Sequence, residues 1–288
     1  MTAGADVFKA ALWMSGAIAS FTSMAVAGRA ISFELDTFEI MMYRSFVGIF
    51  IVLIVAAGSG TLGQIHRRNL RLHLIRNLCH FTGQNLWFFA ITVIPLAQVF
   101  ALEFTAPLWV VVLSPLLLGE RITSIRALAA LIGFIGILII ARPTAATLEF
   151  GQVAAAMTAI AFAFTAIFTR KLTRSETIIS ILFYLTVMQA VFGVICAGYD
   201  GDITVPSMQS LPWLILIGCA GLLAHFCLTT ALSLAPASVV MPIDFTRLPI
   251  VAVVGMLVYG EMVDIWVVVG ALAIFAGNYL NIWGETRR

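Results

Sequence analysis

Charge is what this sequence has least of. Asp, Glu, Lys and Arg make up 10% of its 288 residues, whereas a soluble domain carries roughly a quarter. A water-facing surface cannot be built from so few charges. With hydrophobic residues at 61% and mean hydropathy at +1.06, lipid must be the solvent for most of the outside. The net charge of +2 gives no basic surface for nucleic acid. Cysteine is also sparse. Cys79, Cys196, Cys219 and Cys227 lie inside apolar runs without CxxC spacing and read as small packing residues. Histidines are few and scattered, with no metal-ligand spacing. No P-loop, GxSxG, HExxH or lipidation pattern occurs. Neither a cofactor nor a metal is expected.

Long apolar runs are what the sequence does have. A helix needs about 20 apolar residues to cross the hydrocarbon. Ten segments qualify: 9–28, 38–57, 74–94, 97–118, 123–141, 150–170, 177–198, 211–234, 237–259 and 263–283. They are apolar all round and too long for barrel strands, so helices are predicted. The first resembles a signal peptide, with Ala25-Val26-Ala27 like a cleavage site. Its place in the repeat described next makes it an uncleaved span. Basic residues orient the chain. Lys9, Arg67, Arg68, Arg71, Arg76, Arg121, Arg126, Arg170, Lys171, Arg174, Arg287 and Arg288 fall at the termini and in the even-numbered connections; Arg29 and Arg142 fall opposite. Both termini are therefore expected in the cytoplasm, with the chain in the cell (inner) membrane.

The sequence repeats itself at an offset of 141 residues. Pro95 to Gly119-Glu120 spans the same interval as Pro236 to Gly260-Glu261, and Glu103-Phe104-Thr105 aligns with Asp244-Phe245-Thr246. Tyr43 aligns with Tyr184, and Gly136 with Gly277. Each copy holds five spans, an odd number, so the second copy enters the bilayer upside down. Flanking charge agrees: HRRNLRLH after span 2 is basic, and its partner YDGD after span 7 is acidic. The expected fold is an all-α integral membrane protein, ten transmembrane helices as two inverted five-helix repeats, residues 1–146 and 147–288. Inverted repeats are a common architecture of secondary transporters.

The stretch PLAQVFALEFTAPLWVVVLSPLLLGERIT, the Gly-rich RALAALIGFIGILIIARP after it, and the second copy LAPASVVMPIDFTRLPIVAVVGMLVYGEMVDIWVVVGALAIFAGNYL resemble the EamA-type repeat of the drug/metabolite transporter superfamily. TFEIMMYRSFVG fits as well. The resemblance covers essentially the whole chain. It implies proton-coupled, exchange or facilitated transport of a small organic metabolite without ATP. Members with this pattern move amino acids, S-adenosylmethionine, riboflavin or metal-chelating metabolites, by import or export. The implied partners are a small-molecule substrate and membrane lipid. Ten spans can enclose a pathway in one chain, so no oligomeric state follows.

Charges at membrane depth mark a pathway by default. Glu103 and Asp244 occupy matching positions in spans 4 and 9, and Arg247, three residues after Asp244, shares its face. The trio is either a site for a charged or zwitterionic substrate, with one carboxylate as a proton carrier, or a structural ion pair. His80 and Gln84 share a face of span 3, with Asn85 adjacent and His225 aligned to Gln84. They line a polar cavity, relay protons, or hydrogen-bond between helices. Arg44, with Glu39 as an expected partner, either snorkels to the interface or binds an anion. Tyr43 and Tyr184 line the cavity or sit at the interface. Trp87, Phe88 and Phe89 are expected to cluster with Phe104 and Trp109, for packing or for stacking on a planar substrate. Pro107, Pro115, Pro242 and Pro249 should kink or open spans 4 and 9. Gly133, Gly136, Gly270 and Gly277 suit close helix packing. Glu120 and Glu261 read as punctuation at helix ends. The rival functions are a membrane enzyme, which wants clustered catalytic groups, and a channel, which wants rings of like residues; neither pattern is present.

Overall fold

A computed structural model describes residues 3–118, 124–141, 149–235, 240, 243–244, 247–262 and 264–286. Its elements are helical: α1 (Ala3–Ile31), α2 (Thr37–Gly58), α3 (Leu70–Val93), α4 (Leu96–Glu103), α5 (Ala106–Leu118), α6 (Ser124–Ala141), α7 (Phe150–Leu172), α8 (Ile178–Ala197), α9 (Leu211–Leu234), α10 (Arg247–Tyr259) and α11 (Ile265–Thr286). Five of these are long and apolar enough to cross a membrane, namely Phe8–Ile31, Thr37–Gly58, Phe150–Leu172, Ile178–Ala197 and Leu211–Leu234. The fourth span is divided between α4 and α5. The helical starts follow local chemistry. Asp36 and Glu39 close a capping box at α2, Glu39 N–H donating to Asp36 Oδ1 at 2.8 Å and Asp36 N–H to Glu39 Oε2 at 2.9 Å. Thr177, the repeat equivalent of Asp36, caps α8 by accepting from the Ser180 N–H at 3.3 Å.

Helix pairing obeys a two-fold rule. The most extensive contacts are α1 with α9, α6 with α11, α3 with α7, and α2 with α8. Adding 141 turns α1 into α7 and α9 is the copy of α3, so the first and third pairs exchange. The α2/α8 and α6/α11 pairs map onto themselves. Each self-mapped pair runs antiparallel. Met42 lies against Gly193, Gly48 against Thr186, and Val52 against Leu182 and Leu185. A helix that packs antiparallel to its own copy belongs to an inverted repeat. The ten spans therefore form two five-span units of opposite insertion.

The core that positions the site lies where α1, α2, α3 and α4 meet, around Met24, Met41, Trp87, Phe88 and Phe100. On the face opposite the N-terminus, Glu34 accepts from the Ser207 N–H at 2.6 Å and Oγ at 2.9 Å, tying the α1–α2 turn to the segment before α9. The Ser207 backbone hydrogen bond holds the Glu34 carboxyl below its ordinary value.

At the α6/α11 seam the backbones touch. A Cβ on Gly136 would sit 2.7 Å from the Gly270 carbonyl oxygen, and one on Gly277 would sit 2.7 Å from that of Ala129. Backbone cannot swing aside as a long side chain can. Gly136→Ala or Gly277→Ala is expected to destabilise the protein by about 1–3 kcal/mol, the usual effect of overpacking, read as a lowered Tm in detergent. An unchanged Tm would show that the seam has slack.

Candidate functional site

One face of α3 carries a ladder of buried polar side chains. Arg76, His80, Gln84 and Trp87 recur at helical spacing and so stack on one side. They face a cavity of about 60 Å³. Thr165 and Thr169 of α7 and His225 and Thr229 of α9 line it from the second repeat, and Phe21 and Met24 of α1 from the first. Glu103, Asp244 and Arg247 close it. α10 starts at Arg247 and has 13 residues. At about 1.5 Å per residue this puts the guanidinium end roughly 20 Å below the face opposite the N-terminus, deep in a bilayer core about 30 Å thick.

The break in the fourth span builds this end of the cavity. α4 stops at Glu103 and α5 resumes at Ala106, with Phe104 and Thr105 as turn residues. Proline at 107 has no N–H to give the Glu103 carbonyl, so the helical ladder fails there. Pro249 lies within the first turn of α10, where the missing donor is tolerated. Pro115 lies in α5, and Pro242 is outside the described residues.

Arg247 joins the halves. Its Nη2 donates to Glu103 Oε1 at 2.7 Å and to Asp244 Oδ2 at 2.6 Å. Glu103 Oε2 accepts from Trp87 Nε1 at 2.7 Å. The guanidinium lies 4.9 Å from the ring centroid of Phe21, 4.8 Å from Phe100 and 5.3 Å from Phe104, where ring quadrupoles favour a cation. Two carboxylates around one guanidinium leave this pole with one surplus negative charge when all three are ionised. Asp244 Oδ1 and Arg247 Nε are buried without hydrogen-bond partners.

The other pole is basic. Arg76, placed by sequence among the residues of the connection after span 2, is instead 1% exposed inside α3. Its Nε donates to Thr169 Oγ1 at 3.1 Å and its Nη1 to Asn77 Oδ1 at 2.8 Å. The charge pattern groups it with the arginines that precede it; in the structure α7 covers it through Thr169. Arg44 corrects a second expectation. It neither snorkels nor meets Glu39, whose oxygens are taken by the Asp36 and Thr204 N–H groups. It turns inward and donates to Gln84 Oε1 at 2.9 Å. Near these arginines the rings of His80 and His225 meet edge to face at 4.5 Å.

Other candidates lie apart. Asn85 bonds back to the Phe81 carbonyl at 2.8 Å and does not line the cavity. Tyr43 donates to the Thr204 carbonyl at 2.8 Å. Tyr184 packs on His73, their ring centroids 4.5 Å apart. The expected aromatic cluster divides: Trp87 meets Phe88 and Phe100, Phe89 meets Phe150, and Trp109 packs beside Val110 and Ala163.

Sequence reasoning also missed a latch at the face opposite the N-terminus. Arg29 donates to the carbonyls of Ile91 at 2.6 Å and Ile94 at 2.8 Å, and pairs with Glu261. Glu261 Oε2 accepts from the Leu96 N–H at 3.0 Å. Glu261 is thus a tether between α1, α4 and the end of α10, more than helix-end punctuation. Arg170 and Leu232 stand 141 residues after Arg29 and Ile91, and Arg170 Nη1 donates to the Leu232 carbonyl on the opposite face. The repeat offset was the available signal. Glu120, the equivalent of Glu261, lies outside the described residues.

A polar cavity at the junction of inverted repeats, closed by ion pairs, is an architecture found in polytopic membrane transporters. The comparisons agree. The EamA-like transporter family matches residues 8–142 and again 149–283, and the chain belongs to that family. It is 26% identical over 277 residues to an S-adenosylmethionine uptake transporter of Rickettsia bellii (strain RML369-C), covering 96% of this chain and 94% of that one. It is 33% identical over 233 residues to a riboflavin transporter of Brucella anthropi, covering 79% and 81%. A crystal structure at 16% identity superposes with a TM-score of 0.71, covering 96% of this chain and 98% of the other, and shows the shared fold. The protein is a small-metabolite transporter and not an enzyme.

Removing Arg247 should leave two buried carboxylates without a cation. Arg247→Met is expected to destabilise by about 3–5 kcal/mol, as breaking a buried pair does, whereas Glu103→Gln keeps an acceptor for Trp87 and should lose less. Thermal unfolding of the two purified variants compares them; equal losses would mean that Arg247 is not the joint.

Proposed function

We propose that the protein is a secondary active or exchange carrier that moves a charged small metabolite by alternating access around the central cavity. The observation that carries this is Arg247 held between Glu103 of one repeat and Asp244 of the other, beside the break in the fourth span. Charges at such depth are costly unless they are paired or serve a pathway. Broken helices at a repeat interface place both polar backbone and ionisable groups at the midplane. The cavity of about 60 Å³ holds about two waters, well below the 300–1,000 Å³ of a typical ligand pocket. The bundle must widen to admit a metabolite, and this suits an occluded state in a cycle. The latch of Arg29 and the repeat-related contact of Arg170 lie at opposite faces and support exchange between two openings related by the two-fold of the repeat. Either carboxylate can carry a coupling proton.

Charge in the cavity favours a zwitterionic solute of the S-adenosylmethionine kind over neutral riboflavin. The basic connections support a cell (inner) membrane placement with both termini cytoplasmic. The family matches at 8–142 and 149–283 support functional halves divided near residue 146.

Counterflow in proteoliposomes tests the carrier. Labelled S-adenosylmethionine is expected to show saturable counterflow, and Glu103→Gln to abolish it while still inserting. Linear, non-saturating flux would indicate a channel, and wild-type exchange by the variant would remove Glu103 from the mechanism. Orientation is tested separately. Cysteines introduced as Arg68→Cys and Asp200→Cys are expected to react with an impermeant maleimide from opposite faces; labelling from one face would contradict the insertion scheme.

A further inference from the structure

Among the described residues, the buried guanidiniums of Arg44 and Arg76 have no counter-ion. Arg44 is 6% exposed and Arg76 1% exposed. Among the described residues neither meets a carboxylate. Arg44 bonds to Gln84 and lies near the sulfurs of Met24 and Met41 at 3.6 and 3.7 Å. Arg76 bonds to Thr169 and Asn77. Arg247 and Arg29 differ, because each has a carboxylate partner. A buried cation surrounded only by neutral dipoles retains most of its demand for negative charge.

Their surroundings point to a ligand. Gln84 and His225 line the central cavity, and His225 also lines the small pocket beside Arg44. His80 is 2% exposed and His225 3%. Both nitrogens of each ring are buried without a hydrogen-bond partner among the described residues, although buried polar atoms are nearly always satisfied. The carboxylates gather at the other end with Arg247, where Asp244 Oδ1 is an unpartnered acceptor. The cavity therefore has a cationic pole and an anionic pole.

We propose that Arg44 and Arg76, with the imidazoles of His80 and His225, form an oxyanion subsite that takes the carboxylate or phosphate of the transported solute. The solute's cationic or donor end then meets Glu103 and Asp244. Guanidinium suits this task because its planar fork matches both oxyanions and it stays charged when buried. The proposal rests on the carrier reading above and adds the chemistry of one half of the substrate.

The test uses the full chain in phosphatidylcholine nanodiscs, with thermal unfolding as the readout. Sodium acetate and sodium phosphate are titrated at ionic strength matched with sodium chloride, and acetamide is the neutral control. One oxyanion is expected to raise Tm along a saturating curve, acetate marking a carboxylate site and phosphate a phosphate site. Acetamide should have no effect. Arg44→Gln and Arg76→Gln should lose the shift or need at least ~10-fold more anion, while the surface variant Arg68→Gln keeps it. If these variants fail to fold, the wild-type titration and Arg76→Lys still decide. No shift beyond chloride in the wild type overturns the subsite, as does a shift undiminished in both variants. Stabilisation by phosphatidylglycerol discs alone, lost in the variants, would assign the pole to a lipid headgroup and overturn the solute site. Saturable counterflow without an anion effect would remove the subsite and leave the carrier. An anion effect without counterflow would do the reverse.

Discussion

The rest of the structure depends on the low dielectric of its interior. In water a guanidinium and a carboxylate a few ångströms apart attract only weakly; away from water they hold firmly, and either alone is costly. Arg247 exploits this by standing between one carboxylate from each half. The ion pair does not simply glue two helices. It joins two copies of the same unit beside the break in the fourth span. Aromatic faces of Phe21, Phe100 and Phe104 lie around its guanidinium, where their quadrupoles favour the cation.

The distribution of the other charges follows from the same constraint. Glu103, Asp244 and Arg247 lie at one end of the cavity and Arg76 at the other, with Arg44 beside a small adjoining pocket. Separated poles of this kind can bind opposite ends of one molecule, whereas intermixed charges would neutralise one another. Small residues let the helices around these poles approach closely, and the backbone contacts at Gly136 and Gly277 leave that seam little freedom to yield. Motion should therefore concentrate where the helices are already interrupted.

Much of this was legible in the residues. The spans, the offset of 141 and the inversion follow from hydropathy, self-similarity and the parity of five. Glu103, Asp244 and Arg247 stood out because charge is conspicuous in an apolar run. Arg76 did not, because the arginines at 67, 68 and 71 made it look like part of a solvated loop. Whether α7 covers it is a tertiary matter that no window sees. Arg44 was recognised as ambiguous, and the choice between snorkelling and turning inward depended on Gln84, a residue forty positions away. The latch at Glu261 required knowing that the end of α10 lies beside α1. Tyr43, Tyr184 and Asn85 are polar residues on spans, yet their hydrogen bonds or packing are local to loops, His73 or their own helix.

The exchanged pairing of α1 with α9 and α3 with α7 has a consequence for biogenesis. Neither five-helix half contains the partners of its own first and third helices. When α3 leaves the ribosome, Arg76 enters the bilayer before Thr169 has been translated, and at roughly 5–20 residues per second the wait is on the order of several seconds. During that interval the arginine side chain must be sheltered by headgroups, water or the insertion machinery. A truncated first half should thus be a poor folding unit, and the nascent chain completes its interior only when the last pairs close.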